Sequence, residues 1–313
     1  MSLAGVVAQV VTIGLLFVFW RLGQKWVVVP AVAAMLFLFF FLPRVIARLE
    51  QRFHKKALMM LATGKAADVP SYASRQVLLS LFGASAPVDA KLGLALTHLG
   101  RFEEAIECLS SAIPFAPKTE LPALQAAYVK GLLVTGDVAA AETVGMQMLK
   151  HGVTRLPEVL VLVARAKLAL GKTGPETGAL LEEAATMDSG GDTALMCRLT
   201  QIEYQLAHRR KPAELPGEAD SSQPFVNVWI HLVRGLLREQ RGKVPEALSS
   251  YGKAIRKGKD DRCIFAELAR NRFESLSKKH HLEKEQSVEP NILSSSDANA
   301  LDDVSRRKRR KRR

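Results

Sequence analysis

The sequence predicts an all-α protein: an apolar helical hairpin at the N-terminus, a stack of helix pairs behind it, and a disordered basic tail. Three observations carry that expectation. Ala and Leu dominate an apolar composition in which aromatic residues make up only 6%. No turn dipeptide stands between two alternating apolar runs, so paired strands are not signalled. Gly100, Gly136, Gly171 and Gly242 each close one helical pattern and precede another. Their spacings are 36, 35 and 71 residues, the last near twice the unit, which marks a repeat architecture.

Residues 2–20, SLAGVVAQVVTIGLLFVFW, carry no charge. As a helix they span roughly 28 Å, close to the thickness of a bilayer core. Arg21, Gly23, Gln24 and Lys25 break the run, and residues 26–43, WVVVPAVAAMLFLFFFLP, form a second apolar segment. Trp20 and Trp26 flank the break, where indole rings favour the lipid interface. Two spans with a short polar connection make a transmembrane helical hairpin over residues 1–43. The rival is a secretory signal peptide, which has a basic leader and a cleavage site after a shorter core. Here no Lys or Arg precedes the first run and a second run follows, so an anchor is expected. A hairpin that dips into the bilayer without crossing it is the minor alternative. Arg21 and Lys25 lie in the connection, against Arg44, Arg48, Arg52, Lys55 and Lys56 after the second span. The larger basic count places the soluble part in the cytoplasm.

Residues 44–85 are expected as a basic juxtamembrane helix and linker. In RVIARLEQRFHKKALMML, Arg44, Arg48 and Arg52 recur every four residues, with Ile46, Leu49 and Phe53 on another face. Two readings stand side by side: a stalk packing on the soluble domain, or a basic amphipathic helix meeting anionic headgroups.

The repeats occupy residues 86–281. The first unit reads DAKLGLALTHLGRFEEAIECLSSAIPFAP from Asp89, and the last RGLLREQRGKVPEALSSYGKAI from Arg234. Leu92, Gly93, Ala95, Gly100, Phe102, Ala105, Leu109, Ala112 and Pro117 in the first, with Gly235, Gly242, Ala247, Tyr251 and Ala254 in the last, resemble the signature of tetratricopeptide (TPR) repeats. The resemblance implies an α-solenoid of helix–turn–helix units with small residues where paired helices approach. The middle departs from the pattern: Gly145 replaces a larger residue, TGPETG (173–178) reads as an insertion, and the fourth unit keeps one helix, about 192–208. His208 falls near the missing turn, and RRKPAELPGEADSSQP is expected as a loop. Residues 262–280 look like the polar-faced capping helix that such stacks need. The layout of hairpin, stalk and repeats is similar to bacterial HemY-type inner-membrane TPR proteins.

The family register implies a groove lined by the first helix of each pair, with His98, Lys130, Arg165 and Arg198 as partner-binding residues for an acidic segment. The bland alternative is that these are ordinary solvent-facing charges. Ala90 and Leu94 stand where some TPR domains carry Lys and Asn to clamp a carboxylate, which argues against that activity. The histidines (His54, His98, His151, His208, His231, His280 and His281) are scattered without HExxH, GxSxG or P-loop company. GKTG at 171–174 reads as a repeat turn, since Ala166 stands where a Walker loop needs Gly. Cys108, Cys197 and Cys263 lack metal-ligand or disulfide spacing. No catalytic, metal or cofactor site is expected.

Net charge is +13, of which the closing run of Arg306, Arg307, Lys308, Arg309, Arg310, Lys311, Arg312 and Arg313 supplies eight. With the polar stretch before it, this run makes residues 282–313 a disordered tail. Its nearest polyanion is anionic lipid, and nucleic acid is the second. The expected function is thus a non-enzymatic membrane-anchored scaffold at the cytoplasmic face of a bacterial inner membrane, recruiting a protein partner. The alternative is a nucleic-acid or ribosome docking factor acting through the tail.

Overall fold

The computed structural model describes residues 14, 21, 25–76, 79, 83, 85–150, 156–187, 190–210, 212, 215, 220–259 and 263–280, leaving the side chains of 25–40 aside. Among the described residues every regular element is helical and no strand occurs. The all-α class holds. The chain divides into two compact units, residues 1–208 and 209–313. The boundary falls where the Pro- and Gly-rich stretch begins.

In unit 1, α1 (Lys25–Ala62) and α2 (Asp68–Ser74) precede three helix pairs: α3 (Ser85–His98) with α4 (Phe102–Ala112), α5 (Leu121–Thr135) with α6 (Val138–Lys150), and α7 (Pro157–Ala169) with α8 (Pro175–Thr186). A last helix, α9 (Gly191–Ala207), closes the unit. Each helix packs on its successor from α3 to α9, and the first helices α3, α5, α7 and α9 also pack on one another in order. Gly100, Gly136 and Gly171 turn the chain between partners with φ of 81°, 95° and 74°, a left-handed conformation that glycine adopts without steric cost. Arg209, one residue past His208, takes the same conformation at φ 52°. Gly93 lets α4 approach closely, because a Cβ there would lie 2.6 Å from Leu109 Cγ.

One local expectation changes. TGPETG is no insertion: Pro175 opens α8, a position where its missing N–H costs nothing, and Glu176, Thr177 and Gly178 form the first turn. In residues 44–85 the stalk packs on the soluble part. Ile46, Phe53 and Ala57 of α1 are buried with Val69, Leu79 and Ala95 in one core cluster, and Phe53 stacks on Tyr72 at 5.5 Å.

The second apolar segment and the stalk form one uninterrupted helix, α1. Residues 2–20 other than Gly14, the side chains of 25–40 and the tail 282–313 lie outside the described residues. Among the described residues no helix is long and apolar enough to cross a membrane.

In unit 2, α10 (Pro224–Gln240) and α11 (Val244–Lys257) pair across the turn at Gly242, φ 72°, and α12 covers residues 264–280. A Cβ at Gly235 would run into the Tyr251 ring, so glycine alone permits that crossing. Trp229 is fully buried and stacks on Phe265 of α12 at 4.7 Å. Tyr251 donates its hydroxyl to Glu239 at 2.5 Å. Burial, then this carboxylate, pushes the phenol far above its ordinary value.

Candidate functional site

The first helices of unit 1 are joined by buried pairs of opposite charge. Lys91 of α3 donates to Glu120, the residue before α5, at 2.8 Å. Lys130 of α5 pairs with Glu158 in the first turn of α7. Arg165 Nε of α7 lies 2.7 Å from Glu203 Oε2 of α9. Between those two atoms the attraction is one of charge. Glu120 and Glu158 sit at helix N-termini, where the macrodipole also favours a carboxylate. Glu120 reaches a third helix, since His54 Nε2 of α1 stands 3.5 Å from its Oε1. One carboxylate thereby links stalk, first pair and second pair.

These contacts place the four expected groove residues unequally. Lys130 and Arg165 are buried, at 7% and 4% exposure. Their charges face carboxylates of the neighbouring repeat rather than open solvent, so they tie first helices together instead of offering free cations to a partner. His98 and Arg198 are exposed. His98 shares a locality with Lys130 and Glu158. Partial burial of its imidazole, then the Lys130 ammonium, holds it below its ordinary value against the opposing pull of Glu158. Arg198 is on α9, five residues before Glu203. GKTG is a turn in which Lys172 N–H donates to Lys167 O at 2.8 Å, and the Lys172 ammonium donates to Glu142 at 2.6 Å.

The stalk shows two faces. One is docked into the core described above. The other carries Arg44, Arg48, Arg52 and Lys55, all exposed, with Phe41 at 51% and Met59 at 61% exposure among them. At about 100° per residue these positions share one side of the helix. Lys56 is exposed too, and its ammonium lies 4.4 Å from the centre of the Tyr72 ring, a cation–π contact with α2. Packing and an exposed basic face therefore coexist on one helix. Arg306 to Arg313 lie outside the described residues.

In unit 2, His231 is pushed down to about 4 by burial, then by Lys257, Arg234 and Lys253, with Asp220 opposing. The sign follows. An unfolded His titrates near 6.5, so between there and about 4 the unfolded state binds the extra proton. Stability of unit 2 must fall as pH drops through that window. With allowance for solvent screening, the contribution is on the order of 1 kcal/mol. Trp229 fluorescence melts at pH 7 and pH 5 check it: His231→Gln should lose less stability than the parent over that interval. Equal losses would remove the effect.

Sequence reasoning missed Glu120, Glu158 and Glu203. For Glu120 and Glu158 the usable signal was a carboxylate at the start of the next first helix, 29 and 28 residues after Lys91 and Lys130; Glu203, near the end of α9, carried no such signal. Among the described residues no group of three or more His, Cys, Asp or Glu could hold a metal ion. Comparison of the chain with protein-family models, with curated proteins and with solved structures returns no match.

Proposed function

We propose that the chain is a non-enzymatic, membrane-anchored scaffold. In this reading residues 2–20 and 26–43 form a two-span hairpin, and the helix pairs of 86–281 form a TPR-like α-solenoid at the cytoplasmic face of a bacterial inner membrane. One observation carries the proposal. The second apolar segment and the stalk are a single helix, Lys25–Ala62, and the far end of that helix is built into the core of unit 1 through Phe53 and Ala57. A helix fixed at one end in lipid and at the other in a packed domain sets that domain's distance from the bilayer. Anionic headgroups would meet Arg44, Arg48, Arg52 and Lys55, each worth about 1 kcal/mol near a charged surface. The repeats then offer surface instead of a reaction centre.

The test is site-specific photocrosslinking of the full chain in native membranes. A crosslinking residue replacing His98 or Arg198 is expected to give a protein adduct, and one replacing the exposed Ser110 or Thr143 on second helices is not. Equal adducts at all four positions, or none at the first two, would overturn the groove. Recovery of the chain in the soluble fraction after gentle lysis would overturn the anchor. The second reading, nucleic-acid or ribosome docking, rests on the eight closing basic residues. Deleting residues 306–313 decides between them: loss of the His98 or Arg198 adduct would favour the tail.

A further inference from the structure

The stalk meets the repeats through a polar contact set beside its apolar packing. Ile46, Phe53 and Ala57 of α1 share their cluster with Val69 of α2 and Ala95 of α3, so apolar contact joins the stalk to the first helix pair. His54, next in the chain to Phe53, carries the join further. Its Nε2 stands 3.5 Å from Oε1 of Glu120, the residue before α5, while Oε2 of the same carboxylate takes the Lys91 ammonium at 2.8 Å. The two oxygens thus serve different helices. Glu120 is itself fixed, since its N–H donates to Pro117 O at 2.9 Å and its carbonyl accepts from Leu124 N–H at 3.2 Å.

The two contacts are unequal. The Lys91 side chain is 3% exposed and that of His54 37%. An ammonium carries its charge across the neutral range, whereas an imidazole is the side chain whose charge changes between pH 5 and 8. At 3.5 Å a neutral imidazole makes at best a long hydrogen bond, and an imidazolium is drawn to the carboxylate by charge. The charged neighbours carry both signs. On α1, Glu50 lies one turn before His54, and Lys55 and Lys56 follow it, with Lys56 over the Tyr72 ring of α2. Asp68 is on α2, Asp89, Lys91 and His98 are on α3, and Lys118 stands two residues before Glu120. The stretch 77–84 between α2 and α3 holds no ionisable side chain. Among the described residues Glu120 is the carboxylate in ion-pair contact with the His54 imidazole.

We propose that His54 and Glu120 form a pH-sensitive clasp, which fastens the stalk to the repeats when the imidazole is protonated and loosens when it is neutral. The sign follows from the partner. A carboxylate favours the charged imidazole, so the contribution is whole at the acid end of the histidine range and is lost as pH rises through it. His98 works the other way in unit 1, because its imidazole is held below its ordinary value, and His231 does so in unit 2. The clasp is therefore read by comparing variants, not from the parent alone. What changes is the firmness of one joint. The apolar cluster around Phe53 does not titrate and keeps α1 docked in both states.

The measurement is amide hydrogen exchange of the full chain in neutral detergent micelles at pH 5.5 and pH 8, each corrected for the intrinsic exchange rate at that pH. Protection of residues 44–62 of α1 is taken relative to that of α7 in the parent, in His54→Gln and in His54→Lys. In the parent this ratio is expected to be about threefold higher at pH 5.5, the size of one partly exposed ion pair. His54→Gln should lose that difference. His54→Lys, which keeps a positive charge at both pH values, should hold the firmer ratio at both. Equal pH dependence in the parent and in His54→Gln would overturn the proposal, and so would a His54→Lys chain that loosens at pH 8 as the parent does. The inference goes beyond the scaffold reading and does not depend on it. Loss of the pH difference leaves the anchor and the groove standing, and recovery of the chain in the soluble fraction leaves the clasp.

Discussion

Replacing Glu203 by Ala is expected to lower the stability of unit 1 by about 3–5 kcal/mol, because it strands Arg165 without its carboxylate. The Arg165 side chain is 5% exposed and that of Glu203 11%, so water cannot take over the lost role. The cost is mostly that of an uncompensated buried charge, not the net worth of the pair. Removing both charges together should therefore be milder. Arg165→Met with Glu203→Leu is expected within about 1 kcal/mol of the parent, since apolar replacement of a buried pair is often near neutral. Urea titrations followed by circular dichroism provide the measurement. A single variant as stable as the parent would mean that the two groups are solvated, and the joining of α7 to α9 by charge would have to be given up.

Trp229→Ala should cost unit 2 a comparable amount, about 3–5 kcal/mol, through lost burial and the cavity left behind. Trp229 is fully buried and pins α10 to α12 by its stack on Phe265, whose ring also faces Phe225 at 6.4 Å. Domain stabilities are only about 5–15 kcal/mol in all, so a loss of this size in so small a unit should be plain in its melting curve. Trp229→Phe, which keeps an aromatic face toward Phe265, should retain most of the stability. Amide hydrogen exchange, read helix by helix, distinguishes the units. Protection should fall in α10, α11 and α12 of the Ala variant and persist in α5 and α7. Loss spread evenly over the whole chain would show that the two units do not unfold independently.

The helix pattern of both units was legible along the chain. Gly100, Gly136, Gly171 and Gly242 announced their turns because a left-handed residue between two helices is a local matter of backbone sterics. Gly93 could likewise be placed at a close approach, because the resemblance to the repeat signature implies a small residue there. The two faces of α1, apolar at Ile46 and Phe53 and basic at Arg44, Arg48 and Arg52, were visible by period alone. The packing of that stalk on the soluble part is seen in the structure.

The fate of the cations was not legible. Lys130 and Arg198 look alike in the sequence, each a basic residue on a first helix. One is buried against Glu158 and the other is exposed. A charge's partner is whichever carboxylate the neighbouring repeat brings beside it, and that depends on how far one helix is rotated and shifted against the next. TGPETG failed for the same reason in reverse: Pro175 reads locally as a break, yet at the first turn of a helix it starts one. Local sterics wrote the turns, and the meeting of distant side chains, set by packing, assigned the charges.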